Sequence, residues 1–187
     1  MATRGVIARL THTLPPQWAG RYHHWDSYPS GLGRTLWTLF HDQFNGDLDA
    51  MLRVLLDEHP AGWSSIHGAD FSASPGFREF GQYESSGEDN CPHCYCHGDR
   101  AEEGWLVTQE NAAGSGCEWA YVFASAPPDV SQPDRPQRMM IVFASFRESG
   151  EKMIGFFGCG DPKSLWKPVA FVDLFGPEPD WEAMERQ

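Results

Sequence analysis

Apolar residues return along this chain with two different periods, and the change from one to the other divides it. In "GLGRTLWTLFHDQF", Leu32, Leu36, Leu39, Phe40 and Phe44 recur at three- and four-residue intervals. That spacing gathers them on one side of a helix with 3.6 residues per turn. Small residues at Ser30 and Gly31 open the helix, and "NGD" at 45–47 breaks it. Asp47 then stands where its side-chain oxygen accepts a free backbone N–H of a second helix. Leu48, Met51, Leu52 and Leu55 form the buried stripe of that helix, and Pro60 lies just past its end, as expected of a residue that cannot continue one.

Elsewhere the pattern is that of strands. "GVIARL" (5–10) and "GRYHHW" (20–25) read as short strands joined by a Pro-Pro loop. "WLVTQE" (105–110), "CEWAYVFAS" (117–125), "RMMIVFASF" (138–146), "KMIGFFG" (152–158) and "KPVAFVDLF" (167–175) follow, separated by turns containing Pro and Gly. Their richness in Val, Ile, Phe and Tyr is that of a pleated, packed surface. Two early helices and several later strands predict an α+β fold: a mainly antiparallel sheet with the two N-terminal helices on one face. No internal repeat occurs, and 1–187 is read as one domain. The acidic tail at 176–187 is expected to form a short helix or to fray.

Between the two regions, 72–104 has no period. It is rich in Gly, Ser and acidic residues, and a loop of this length in a compact domain calls for a function, for disorder, or for something other than apolar burial to pin it. Inside it lies "NCPHCYCHGD", with Cys91, His93, Cys94, Cys96 and His97. Zinc takes four nitrogen or sulfur ligands in a tetrahedron, and Cys91 with Cys94 supplies a Cys-x-x-Cys half-site. Cys96 and His97 complete it locally. His93, Cys117, Cys159 or a distant histidine are the alternatives, because no second Cys-x-x-Cys exists. Free thiols and a redox dithiol are the competing readings.

"CPHCY" resembles the active-site motif of the periplasmic thiol oxidases of the thioredoxin superfamily. Their motif follows an apolar strand and opens a helix, whereas "ESSGEDN" precedes this one. No His-Glu-x-x-His occurs, and the zinc-deaminase pattern fails because here the proline follows the first cysteine. The expectation is therefore a structural zinc clamp, supplying ordering free energy that this segment lacks in apolar side chains.

Composition narrows the partners. A formal charge of −12 repels phosphate backbones and anionic membranes, though an acidic face suits a basic partner protein. Eight tryptophans read chiefly as core packing, with a stacking surface as the alternative. An odd count of five cysteines rules out a complete set of disulfides within the chain. With no signal-like apolar stretch, this points to a cytoplasmic protein with reduced thiols.

One stretch before the first helix, "RYHHWDSYPSGLGRTLW", collects polar chemistry. In an extended chain His24 and Asp26 share a face, so the pair is a candidate acid/base unit with Tyr28 beside it. Ser30, Gly31 and Gly33 place small residues at a helix start, whose free N–H groups suit a phosphate or carboxylate. Arg34 lies one turn on, and Arg4 or Arg9 can arrive from the neighbouring strand. The plainer alternative is a Tyr-Pro-Ser-Gly turn with histidines satisfied in place. The Gly-x-Gly lacks both the P-loop lysine and the full dinucleotide fingerprint.

"MATRG" with "YHHWDSYPSGLG" resembles the opening of an uncharacterised group of bacterial and phage proteins, which begin with Thr-Arg-Gly and a Tyr-x-His-x-Asp-Ser-Tyr-Pro-x-Gly-Leu-Gly segment. The likeness covers roughly the first 40 residues. It implies a site in this segment and a bacterial or phage setting, without assigning catalytic roles. The expected function is a zinc-stabilised domain binding a small anionic ligand or a partner protein. The alternatives are a hydrolase or transferase using His24 and Asp26, with a nucleotide as one substrate class, and an acidic phage or defence-related interaction protein.

Overall fold

The computed structural model describes residues 2–71, 92–96, 103–125, 138–146 and 165–186. The expected strand at 152–158 and most of 72–104 lie outside these residues. β1 (Arg4–Thr13) and β2 (Pro16–His23) form a hairpin through a cis Leu14–Pro15 bond. α1 covers 29–43, with a regular middle turn at Arg34–Thr38 and wider turns at Pro29–Gly33 and Leu39–Gln43. α2 covers 48–58. Then come β3 (Trp63–Ser65), β4 (His93–Cys94), β5 (Val107–Thr108), β6 (Cys117–Ser125), β7 (Arg138–Phe146), β8 (Leu165–Asp173) and α3 (Trp181–Glu185).

The strands make one sheet in the order β4-β3-β2-β1-β6-β7-β8, with β5 paired to β2 on its β3 side. The pairing is mainly antiparallel, as expected, but β1–β6 and β2–β3 run parallel. The second follows from the helices. A chain that leaves β2 and crosses one face through α1 and α2 returns as a parallel neighbour, since parallel strands need such a crossover. The strand expected at 105–110 shrinks to Val107–Thr108.

Alternation along the strands gives two cores. Ile7, Tyr121, Phe123, Met140 and Val142 face the helices and meet Leu32, Leu36, Phe40, Met51 and Leu55. Val6, Ala8, Trp18, Val122 and Phe143 form the opposite core. From Cys117 to Phe123 every residue of β6 is buried, which explains why its sequence is a continuous apolar run rather than an alternating one. Asp47 caps α2 by accepting from the Ala50 N–H at 2.9 Å. Arg9 forks onto Asp57 at 2.7 and 2.8 Å, linking α2 to β1, though an exposed pair of this kind contributes at most about 1 kcal/mol.

The expected tail is part of the core. Asp180 caps α3 through the Ala183 N–H, and Trp181 is fully buried. Gly33 makes room for it: a Cβ there would lie 3.0 Å from the rings of both Trp181 and Tyr121. Among the described residues no helix is long and apolar enough to cross a membrane.

Candidate metal centre and the double-histidine turn

α2 ends at His59, whose φ of −123° and ψ of 69° leave the helix. The chain turns at 60–62 and enters β3. Gly62 sits at φ +86°, and a Cβ there would come within 2.6 Å of the Tyr22 carbonyl oxygen; glycine alone allows the turn to pass this close to β2. Trp63 pairs with Cys94 across β3 and β4. These constraints bring His59, Cys94 and Cys96 together, with their ligand atoms all within 4.8 Å of one another. His59 and Cys94 are buried and Cys96 is half-buried.

The chemistry of this group fits a metal ion. An imidazole and two sulfurs are borderline-soft donors. A zinc tetrahedron with these donors has edges of about 3.6–3.8 Å, so small side-chain adjustments close the three around one ion. The Ala61 N–H donates to Cys96 Sγ at 3.1 Å, which fixes the sulfur against the turn that follows His59. The ring of His59 is steadied by that of Trp63, with centroids 4.5 Å apart.

Two of the four expected metal ligands, Cys94 and Cys96, belong to this group. Cys91 and His97 lie outside the described residues, as does Cys159. Cys117 is elsewhere, packed in the second core with its thiol donating to the Gly5 carbonyl at 3.6 Å. His93 pairs with Ser65 on β4 and is not one of the three. His59 had no motif to mark it in the sequence. Its signal was only its position, the last residue of an amphipathic helix just before Pro60.

The double histidine divides between two sides of β2. His23 is fully buried, with Nδ1 2.8 Å from Ser27 Oγ. Ser27 Oγ also donates to the His23 carbonyl at 3.3 Å. Burial, then the neighbouring His67 and His24, hold the His23 pKa well below the ordinary histidine range. His24 points the other way and meets the Tyr22 hydroxyl through Nδ1 at 2.8 Å. β2 ends at His23, and Asp26 takes φ 52° in the following turn, so strand alternation does not extend to it. Tyr28 is half-buried, and burial followed by the charges of Asp26 and Glu185 raises its pKa.

The helix start expected to receive an anion receives one from the chain itself. The Ser30 N–H donates to Glu185 Oε1 at 2.7 Å. Arg34 pairs with Glu182 at 2.9 Å and with Glu178 at 3.6 Å. Gly33 is a packing position under Trp181. Ser30, Gly31 and Arg34 also line a groove of about 340 Å³ with Thr35 and His67. Of the two arginines expected from the neighbouring strand, Arg9 is engaged by Asp57 and Arg4 faces a different hollow.

Compared with known proteins, the chain matches no family model, no curated protein and no solved structure.

Proposed function

We propose that this chain is a zinc-stabilised binding domain, with the ion held by His59, Cys94 and Cys96 and with a small anionic ligand as its cargo. The observation that carries the metal part is the convergence of three donors from two segments 35 residues apart, His59 and Cys94. The ion would tie β4 to the end of α2, a join that a two-residue strand makes poorly by backbone hydrogen bonds alone. The role is a clamp. The fourth position falls by sequence spacing to Cys91, which would complete a Cys-x-x-Cys turn with Cys94, or to His97.

A cobalt-substitution titration tests this reading. Metal-stripped protein should bind one Co²⁺ with the intense visible absorption of a tetrahedral thiolate site, and zinc should displace it. His59→Ala, Cys94→Ser and Cys96→Ser should each weaken or abolish that spectrum. Octahedral, weakly coloured binding, or a spectrum unchanged in all three variants, would remove the assignment.

A further inference from the structure

We propose that the hollow between Tyr22, Tyr95 and Trp105 binds a planar ring carrying a carboxylate or phosphate, with the ring against these side chains and the negative group toward Arg4. This deepens the binding reading by giving the ligand a place other than the helix start that Glu185 fills.

The hollow measures about 360 Å³ and is lined by Arg4, Tyr22, Ala61, Tyr95, Trp105 and Ser115. That lies at the small end of the range for small-molecule sites, so it suits one or two fused rings rather than a long chain. Three of the six lining side chains are aromatic. Tyr22 and Tyr95 have centroids 6.4 Å apart with planes 37° apart, and Tyr22 and Trp105 are 5.9 Å apart at 34°. Rings splayed this little offer faces to a flat guest.

The wall is built in advance. The Trp105 N–H donates to the Pro60 carbonyl at 2.9 Å, and the Tyr95 N–H donates to the Gly62 carbonyl at 3.0 Å. Both aromatic residues are therefore pinned by backbone to one short turn, and little ordering cost is left for a ligand to meet. Trp105 nevertheless stays 44% exposed, in a protein that buries Trp63 and Trp181 completely. Tyr95 lies between Cys94 and Cys96, so their sulfurs gather beside His59 while the ring between them lines the hollow.

Charge decides the class. Aromatic walls also suit quaternary ammonium groups, but Arg4 is the one charged residue among the six, and its guanidinium repels a cation. Its planar fork matches a carboxylate or phosphate. The imidazole of His24, which shares a hydrogen bond with Tyr22, has its pKa lowered by burial and then by the charge of Arg4.

Calorimetric titration of the metal-replete protein tests the proposal with two matched pairs. Indole-3-acetate is compared with indole-3-acetamide, and adenosine monophosphate with adenosine. In one pair the acid should bind saturably and about tenfold or more tighter than its neutral partner, and which pair responds distinguishes a carboxylate from a phosphate source. Trp105→Ala should weaken that acid at least tenfold. Arg4→Gln should reduce the acid to the level of its neutral partner without changing the latter.

The proposal is overturned if neither acid saturates by about 10 mM, a bound near 3 kcal/mol of affinity, if each acid and its neutral partner bind equally, or if both variants bind as the wild type does. Metal content measured on the same samples separates this outcome from the fate of the clamp. Binding by a wild type that takes up no zinc when the ion is supplied supports the hollow and removes the clamp. Absence of binding by metal-loaded protein removes the hollow and leaves the clamp.

Discussion

The carboxylate of Glu185 lies 2.7 Å from the amide nitrogen of Ser30, across 155 residues of sequence. It supplies the negative charge that the start of α1 invites, and Trp181 anchors the segment that delivers it. Glu185→Gln keeps an acceptor but removes the charge, and should cost about 0.5–1 kcal/mol in urea denaturation. Trp181→Ala empties a fully buried site and should cost about 3–5 kcal/mol. Glu185→Ala should open the seat, so that phosphate raises the unfolding temperature of this variant more than that of the wild type. Equal phosphate responses would contradict the assignment.

The buried His23 gives stability a defined pH dependence. Its folded pKa lies well below the unfolded value of about 6.5. Below that value the unfolded chain takes up a proton that the folded protein refuses. Stability is therefore full above pH about 6.5 and falls as the pH drops below it, by up to about 1.4 kcal/mol per pH unit for one such group. His24, lowered by burial and by Arg4, adds a smaller loss of the same sign. Denaturation curves for wild type and for His23→Gln at pH 7.5 and 5.5 check this. The variant should have the shallower pH slope, and an equal slope would exclude His23 as the source.

Both helices, the Asp47 cap and the strands at 117–125 and 138–146 could be read from the chain because local periodicity and caps fix them. The long-range closures could not. The parallel β2–β3 pairing depends on a crossover path. The docking of 181–185 depends on a space left by Gly33. His59 becomes a neighbour of Cys94 and Cys96 only through the Gly62 turn. Reading His24 with Asp26 assumed an extended chain through residue 26, whereas His24 and Trp25 still hydrogen-bond to β3 and the backbone turns at Asp26 to begin the approach to α1. The anion-seeking character of the Ser30 region was legible, but its occupant, a carboxylate at the far end of the chain, was not.

Gly62 couples the candidate metal-binding group to the sheet. Gly62→Ala must tolerate both φ +86° and a contact of 2.6 Å with the Tyr22 carbonyl, a strain of about 1–3 kcal/mol. The displaced turn carries Ala61, whose N–H serves Cys96. The variant should therefore lose metal affinity as well as stability, whereas Gly68→Ala, also at positive φ (+66°) but with nothing within 4 Å, should leave metal affinity unchanged. A competition titration against a chromophoric chelator reads both.

If the ion is a clamp, removing it should loosen the fold. Chelation should lower the unfolding temperature by roughly 10 °C, equivalent to about 3 kcal/mol in a chain of this size, and zinc should restore it. A melting curve indifferent to both treatments would mean that β4 is held by other contacts.

The proposed metal centre is tested most directly by the mass of the native protein. Native mass spectrometry of freshly purified chain should show one zinc ion per protomer, and His59→Ala, purified alongside, should show a reduced or absent zinc adduct. A wild-type chain at its bare mass, which also takes up no zinc when the ion is supplied, would contradict the claim that His59, Cys94 and Cys96 form a metal centre.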